Sequence, residues 1–208
     1  QDADFREWAH EYIHTLFADY ELDGLIWDEP KSSAMVTRHP ATLAKFGPEP
    51  TAQNMADDFA GFIQDLTATA RAARPGLAVS LFNMPSVNSY FTARCAHIEG
   101  LDYLGFDGAC CRQSYFREPP QKLKHYLTET WGRTRSEAAG GGKQTFALIE
   151  NFMIPEGVIP EFREGLAAFL GQAHPDHLAC YYYGLNNAEP EAVHAAAMEV
   201  IGEHYLAR

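Results

Sequence analysis

The sequence has few of the patterns that announce a metal, nucleotide or nucleic-acid site. Its four cysteines, Cys95, Cys110, Cys111 and Cys180, form no C-x-x-C pair, so no structural zinc is expected. Cys110 and Cys111 read as reduced, partly buried thiols after a strand. The nine histidines put no H-x-H at the end of a predicted strand, and metal-dependent hydrolysis is not expected. There is no G-x-G-x-x-G and no Walker A turn, which leaves a dinucleotide or nucleoside triphosphate without its usual cradle. No G-x-S-x-G occurs, so a serine hydrolase is disfavoured. No lysine ends a predicted strand, which disfavours Schiff-base chemistry. No cofactor is expected.

Basic runs are also lacking. The net charge of −12 argues against a phosphate backbone or an anionic membrane surface as partner. No apolar stretch approaches the roughly 20 residues that span a bilayer. No signal peptide is visible and the first residue is Gln1, so the chain reads as soluble with its compartment open. The oligomeric state is open too.

What the sequence does have is a strict alternation. Phe5, Trp8, Tyr12, Ile13, Leu16, Phe17 and Tyr20 recur at helical spacing, and Asp2 or Asp4 can cap that helix. An apolar strand, Leu22–Asp28, follows, then a polar loop holding Pro40, Pro48 and Pro50. A second helix carries Met55, Phe59, Phe62, Ile63 and Leu66. Strands are then expected over Leu77–Asn83, Leu101–Gly108, Thr145–Asn151 and Leu178–Asn187, each followed by an amphipathic helix. The bridge Gly140–Gly142 reads as a flexible loop away from the strand tips.

Apolar strands alternating with helices predict an α/β fold with a parallel sheet. Two architectures compete: a doubly wound sheet of the 2-1-3-4-5 kind, and a (β/α)8 (TIM) barrel. The barrel places its chemistry on the C-terminal tips of its strands. Polar residues stand at all five tips here: Asp28 and Glu29, Asn83, Asp107, Glu150 and Asn151, then Asn186 and Asn187. The expectation is therefore one domain, residues 1–208, forming the C-terminal five β/α units of a larger barrel. On that count Leu22–Asp28 is barrel strand four and Thr145–Asn151 is strand seven.

Two carboxylates meet the needs of glycosidic bond cleavage. One, protonated, serves the leaving oxygen; the other, ionised, attacks the anomeric carbon or activates water. Glu29 and Glu150 are the candidate catalytic residues, with Asp28 as alternative to Glu29. Neighbours in a strand face opposite sides, so only a bulge or turn lets Asp28 and Glu29 act on one pocket. Trp27, Lys31, Asn83, Asp107, Asn151, Tyr183 and Asn186 are candidate substrate contacts. Several have plainer readings: Asp107 suits turn chemistry before Gly108, Asn83 suits backbone satisfaction, and some of Tyr181, Tyr182 and Tyr183 must pack.

At these residues the chain resembles the retaining clan-A glycoside hydrolases. That clan ends barrel strand four in Asn-Glu-Pro, whose Glu is the acid/base, and carries its nucleophilic Glu at the end of strand seven. "WDEP" at Trp27–Pro30 is similar to the first, with Asp28 where the clan has Asn, and "IEN" at Ile149–Asn151 to the second. The resemblance implies a retaining glycosidase with Glu29 as acid/base and Glu150 as nucleophile. Its implied partner is an oligosaccharide or glycoside.

Overall fold

A computed structural model of the chain describes residues 2–30, 35–84, 89–109, 126–151, 153–181 and 186–206. Five strands alternate with helices: β1 (Gly24–Asp28), β2 (Ala78–Asn83), β3 (Tyr103–Ala109), β4 (Gln144–Glu150) and β5 (His177–Tyr181). They form one sheet in the order β1-β2-β3-β4-β5, and β1 pairs parallel to β2 and β4 parallel to β5. The fold is α/β, and an order without crossing is that of consecutive β/α units of a barrel wall. It excludes the doubly wound order 2-1-3-4-5.

The helices are α1 (Ala3–Asp19), α2 (Pro40–Phe46), α3 (Ala52–Ala73), α4 (Ser89–Ala96), α5 (Gly132–Gly140), α6 (Ile159–Ala173) and α7 (Pro190–Leu206). A π-helical segment, Tyr126–Trp131, leads into α5. Helix α2 was not expected in the proline-containing loop. Its start is local chemistry: the His39 ring accepts from Ala41 N–H, and Pro40 occupies the first turn, where its missing N–H costs nothing. Gly47, at φ 80°, ends it.

The chain divides into two compact units, Gln1–Leu104 with Glu137–Gln144, and Gly105–Ser136 with Thr145–Arg208. The first is built on α3. Thr51 and Asn54 form a reciprocal capping box at its start, and Met55, Ala56, Phe62, Ile63, Leu66 and Ala70 are buried along it. All of these but Met55 pack with Ala9 and Ile13 of α1, Val79 and Leu81 of β2, Phe91 and Cys95 of α4, and Leu104. Removing one such side chain from water contributes about 1.5–3 kcal/mol. The aromatics of α1 do not all join this core. Phe5, Trp8 and Tyr12 are about half exposed and stack on one another instead, with centroid separations of 5.6 Å.

The second unit is centred on Trp131. Its indole N–H donates to the Ala173 carbonyl at 2.8 Å, and its ring meets Phe169 edge-on at 5.8 Å. Ala147 and Ile149 of β4, Phe162, Leu166 and Leu170 of α6, and Val193, Ala197 and Val200 of α7 complete the cluster.

The glycine bridge is not the loose loop that its composition indicated. Gly141 N–H donates to Glu137 O at 2.9 Å and Lys143 N–H to Ala138 O at 2.8 Å, which closes the end of α5. A Cβ on Gly141 would lie 2.1 Å from the Ala96 carbonyl oxygen, so the glycine permits a close backbone approach.

Three strands are preceded by an aspartate: Asp23 before β1, Asp102 before β3 and Asp176 before β5. Two of these carboxylates clasp the neighbouring strand. Asp102 Oδ2 accepts from Val79 N–H near the start of β2 at 2.8 Å. Asp176 Oδ2 accepts from Thr145 N–H near the start of β4 at 2.8 Å and from the Thr145 hydroxyl at 2.7 Å. These bonds fix the ends of the strands opposite the tips.

Candidate functional site

Which side chains can serve a site follows from strand alternation, because one face of each strand is committed to the helices. In β1, Leu25 and Trp27 pack on the core of the first unit, while Gly24, Ile26 and Asp28 are exposed on the other face. The register sets Asp28 beside Phe82. In β4, Ala147 and Ile149 face the helices, so Phe146, Leu148 and Glu150 face away. In β3, Leu104 belongs to the helix-side core, so Gly105 and Asp107 share the parity of the open face.

Asp28 in the first unit, and Asp107 and Glu150 in the second, therefore lie on the strand face that is not committed to the helices. Within the second unit, Asp107 and Glu150 stand near the C-terminal ends of neighbouring strands, 8% and 4% exposed. Tyr181 of β5 lies in register with Glu150, and parallel partners share a face. Phe146 and His177, four residues earlier in each strand and so on the same face, agree with this through a ring contact at 6.0 Å. Tyr181 is 45% exposed. It was singled out only as one of three tyrosines of which some must pack.

Glu29 lies in the first unit, one residue past β1. Its N–H donates to Phe82 O at 2.9 Å, and its φ is 41°. The left-handed turn breaks the alternation there, which is what two adjacent acids need to act on one pocket. A non-glycine residue in this region costs about 1–2 kcal/mol, and a following proline restricts it further. Such strain is concentrated at functional positions.

Three predicted contacts fall on the helix side instead. Trp27 donates its indole N–H to the Thr67 hydroxyl of α3 at 2.9 Å, which commits the ring to the core. Asn83 has the parity of Val79 and Leu81 and is fully buried against the Cys95 thiol. Burial pushes that thiol far above its ordinary range, and the Asn83 amide beside it offsets the rise only in part. Asn151 has the parity of Ile149 and is 2% exposed; its N–H continues the ladder to Tyr181 O at 2.7 Å. Polar identity at a strand tip is visible in sequence, but the face depends on where the strand begins, and a shift of one residue inverts it.

Asn186 is exposed, at φ 63°. Its neighbour Asn187 is the residue that organises this rim. Asn187 accepts from Ile154 N–H at 2.9 Å and donates to Asn151 O at 2.8 Å, tying the segment after β4 to the segment after β5. Lys31 and Tyr183 lie outside the described residues, as do Cys110 and Cys111.

One cavity of the first unit holds none of these acids. A groove of about 660 Å³ runs between Phe5 of α1, Met35 and Val36, and Met55, Phe59 and Phe62 of α3. Asp58 lies in it, bound to Arg6 at 3.1 Å and to Lys45. Burial raises the Asp58 pKa, but Lys45 and Arg6 outweigh it and hold the carboxyl below its ordinary value. The groove lies against α1 and α3, with Arg6 spent on Asp58 and Arg38 paired with Glu49 at 3.5 Å.

The expectation of no metal motif overlooked one spacing. His10-Glu11-Tyr12-Ile13-His14 is an H-E-x-x-H on α1. Among the described residues no group of three or more His, Cys, Asp or Glu is placed to hold an ion. Among them, too, no helix is long and apolar enough to cross a membrane. Comparison with models of known protein families finds no match, and comparison with curated proteins finds none.

Proposed function

We propose that the chain cleaves or transfers a glycosidic bond in an oligosaccharide or glycoside. In this reading Glu150 is the nucleophile, and Glu29, with Asp28 as the alternative, is the acid/base. Glu29 belongs to one compact unit and Glu150 to the other, so each role is proposed from the residue's position on its own strand. The observation that carries the reading is the buried Glu150 on the open face of β4, with Asp107 on the neighbouring strand and Tyr181 in register. A carboxylate there, flanked by an aromatic ring, suits attack at an anomeric carbon with the sugar held by its apolar face. The (β/α)8 count that makes these five strands four to eight belongs to the same proposal.

A panel of aryl glycosides and oligosaccharides, followed both for turnover and for binding, tests it. Hydrolysis that is lost in Glu150→Gln supports it. Binding without turnover across the panel would replace it with a non-catalytic carbohydrate-binding barrel. Turnover that survives Glu150→Gln would point to another hydrolytic chemistry. Where a substrate is found, the anomer of the first-formed product, read by NMR, should be retained.

A further inference from the structure

The overlooked spacing on α1 can be taken further through hydrogen counting. Residues four apart on a helix lie on one face, so His10 and His14 are neighbours along the helix axis. Their stripe is not the one buried on α3, which is carried by Ala9 and Ile13. His14 is exposed and His10 half-buried.

His10 Nδ1 lies 2.7 Å from the Thr69 hydroxyl of α3. A hydroxyl has one hydrogen to give. Thr69 spends it on the Asp65 carbonyl oxygen, at 3.1 Å. With that hydrogen on Asp65, the 2.7 Å contact is one that His10 donates from Nδ1. In the neutral ring the lone pair therefore sits on Nε2. A hydrogen-bonded partner on one ring nitrogen that leaves the other as ligand is the usual support of a metal-binding histidine.

We propose that His10 Nε2 and the His14 imidazole chelate a first-row divalent cation, with Thr69 as the positioning residue behind His10. Two imidazoles select Cu²⁺, Ni²⁺ and Zn²⁺ over Mg²⁺ and Ca²⁺, which take oxygen ligands. Water completes the coordination, in keeping with the absence of a three-ligand group among the described residues. Glu11 sits between the histidines in sequence, but without a third protein ligand the motif lacks the catalytic zinc arrangement. The site is a clamp on α1, and metal binding should hold the helix on α3 through Thr69.

The test is calorimetric titration of the whole chain with Cu²⁺, Ni²⁺, Zn²⁺ and Mg²⁺ separately. Saturable one-to-one binding in the micromolar range is expected for the first three, tightest for Cu²⁺, and none for Mg²⁺. His14→Gln changes only an exposed side chain and should weaken binding at least about tenfold. Thr69→Val keeps the shape of the side chain and should weaken it by about 10-fold or more, as loss of such support does elsewhere. In the same variant the His10 ring should lose its fixed tautomer by NMR. Unchanged binding in His14→Gln would put the metal on other histidines and overturn the proposal. So would the absence of saturable binding to the native chain. If His14→Gln weakens binding and Thr69→Val does not, the positioning role is overturned and the proposal fails in that part.

Discussion

Glu29 combines a strained backbone with a candidate role. At φ 41° it sits where glycine is favoured, and the following Pro30 makes that conformation costlier still. If the strain serves the placement of a carboxyl, removing the side chain should stabilise the fold while destroying activity. Glu29→Gly is expected to raise stability by roughly 1 kcal/mol in urea unfolding, and Glu29→Gln to leave it nearly unchanged. Both should lose turnover. A Glu29→Gly variant less stable than the native chain would show that the turn is held by the glutamate rather than endured by it. The pair Asp28–Glu29 was legible in the sequence as an anomaly at the end of an apolar run. The turn that resolves it was stated only as a requirement, because φ is set by the ladder bond to Phe82 and not by residue identity.

At the scale of elements, the clasps that open and close the strands are the features to perturb. Asp176 accepts from the Thr145 backbone and then from its hydroxyl, and these bonds lower its pKa against a smaller opposing effect of burial. A carboxyl whose folded pKa is depressed contributes stability above its unfolded pKa, near about 3.9, and loses it as pH falls through the folded value. The native chain should therefore lose more stability than Asp176→Asn between pH 5 and acid below about pH 3, read from the shift of urea midpoints. An equal loss in both would deny the clasp. On the opposite rim, Asn187→Ala leaves the Ile154 N–H and the Asn151 carbonyl without their partner. It should cost about 1–3 kcal/mol. Thermal unfolding of this variant beside Asn186→Gly checks the choice, because Asn186 is exposed and glycine tolerates its φ of 63°, so that change should cost much less. Gly141→Ala drives a methyl into the Ala96 carbonyl and should cost about 1–3 kcal/mol in the same assay.

These elements show where sequence was sufficient. The five strands and the helices α1, α3, α6 and α7 follow from periodicity alone, since each buries one apolar face. Helix α2 did not, because seven residues between prolines show no stripe. Its signal was the cap, His39 before Pro40, with Gly47 after Phe46. Glycines 140–142 read as slack because composition cannot distinguish a loose turn from a helix end pressed on a neighbour. The aspartates before β1, β3 and β5 were visible all along as a repeat of position. They were not recognised, because nothing in a sequence says that a carboxylate will meet the preceding strand.

For the whole molecule, the strand order β1-β2-β3-β4-β5 settles the fold class and leaves chemistry to particular side chains. Alternation sorts the polar residues at the ends of β1 to β4 within each unit: Asp28 away from the helices and Asn83 toward them in the first, Asp107 and Glu150 away and Asn151 toward them in the second. Polarity at a strand end was legible in the sequence, while the face each residue takes depends on where its strand begins. The central claim is that Glu150 performs chemistry on a glycosidic bond. The most direct measurement is the turnover number of Glu150→Gln against the native chain on a substrate from the glycoside panel, with melting curves of both. The account predicts that turnover falls at least about a thousandfold while the melting temperature stays within a few degrees. A variant that melts as the native chain does and still turns over within about tenfold of it would contradict the claim.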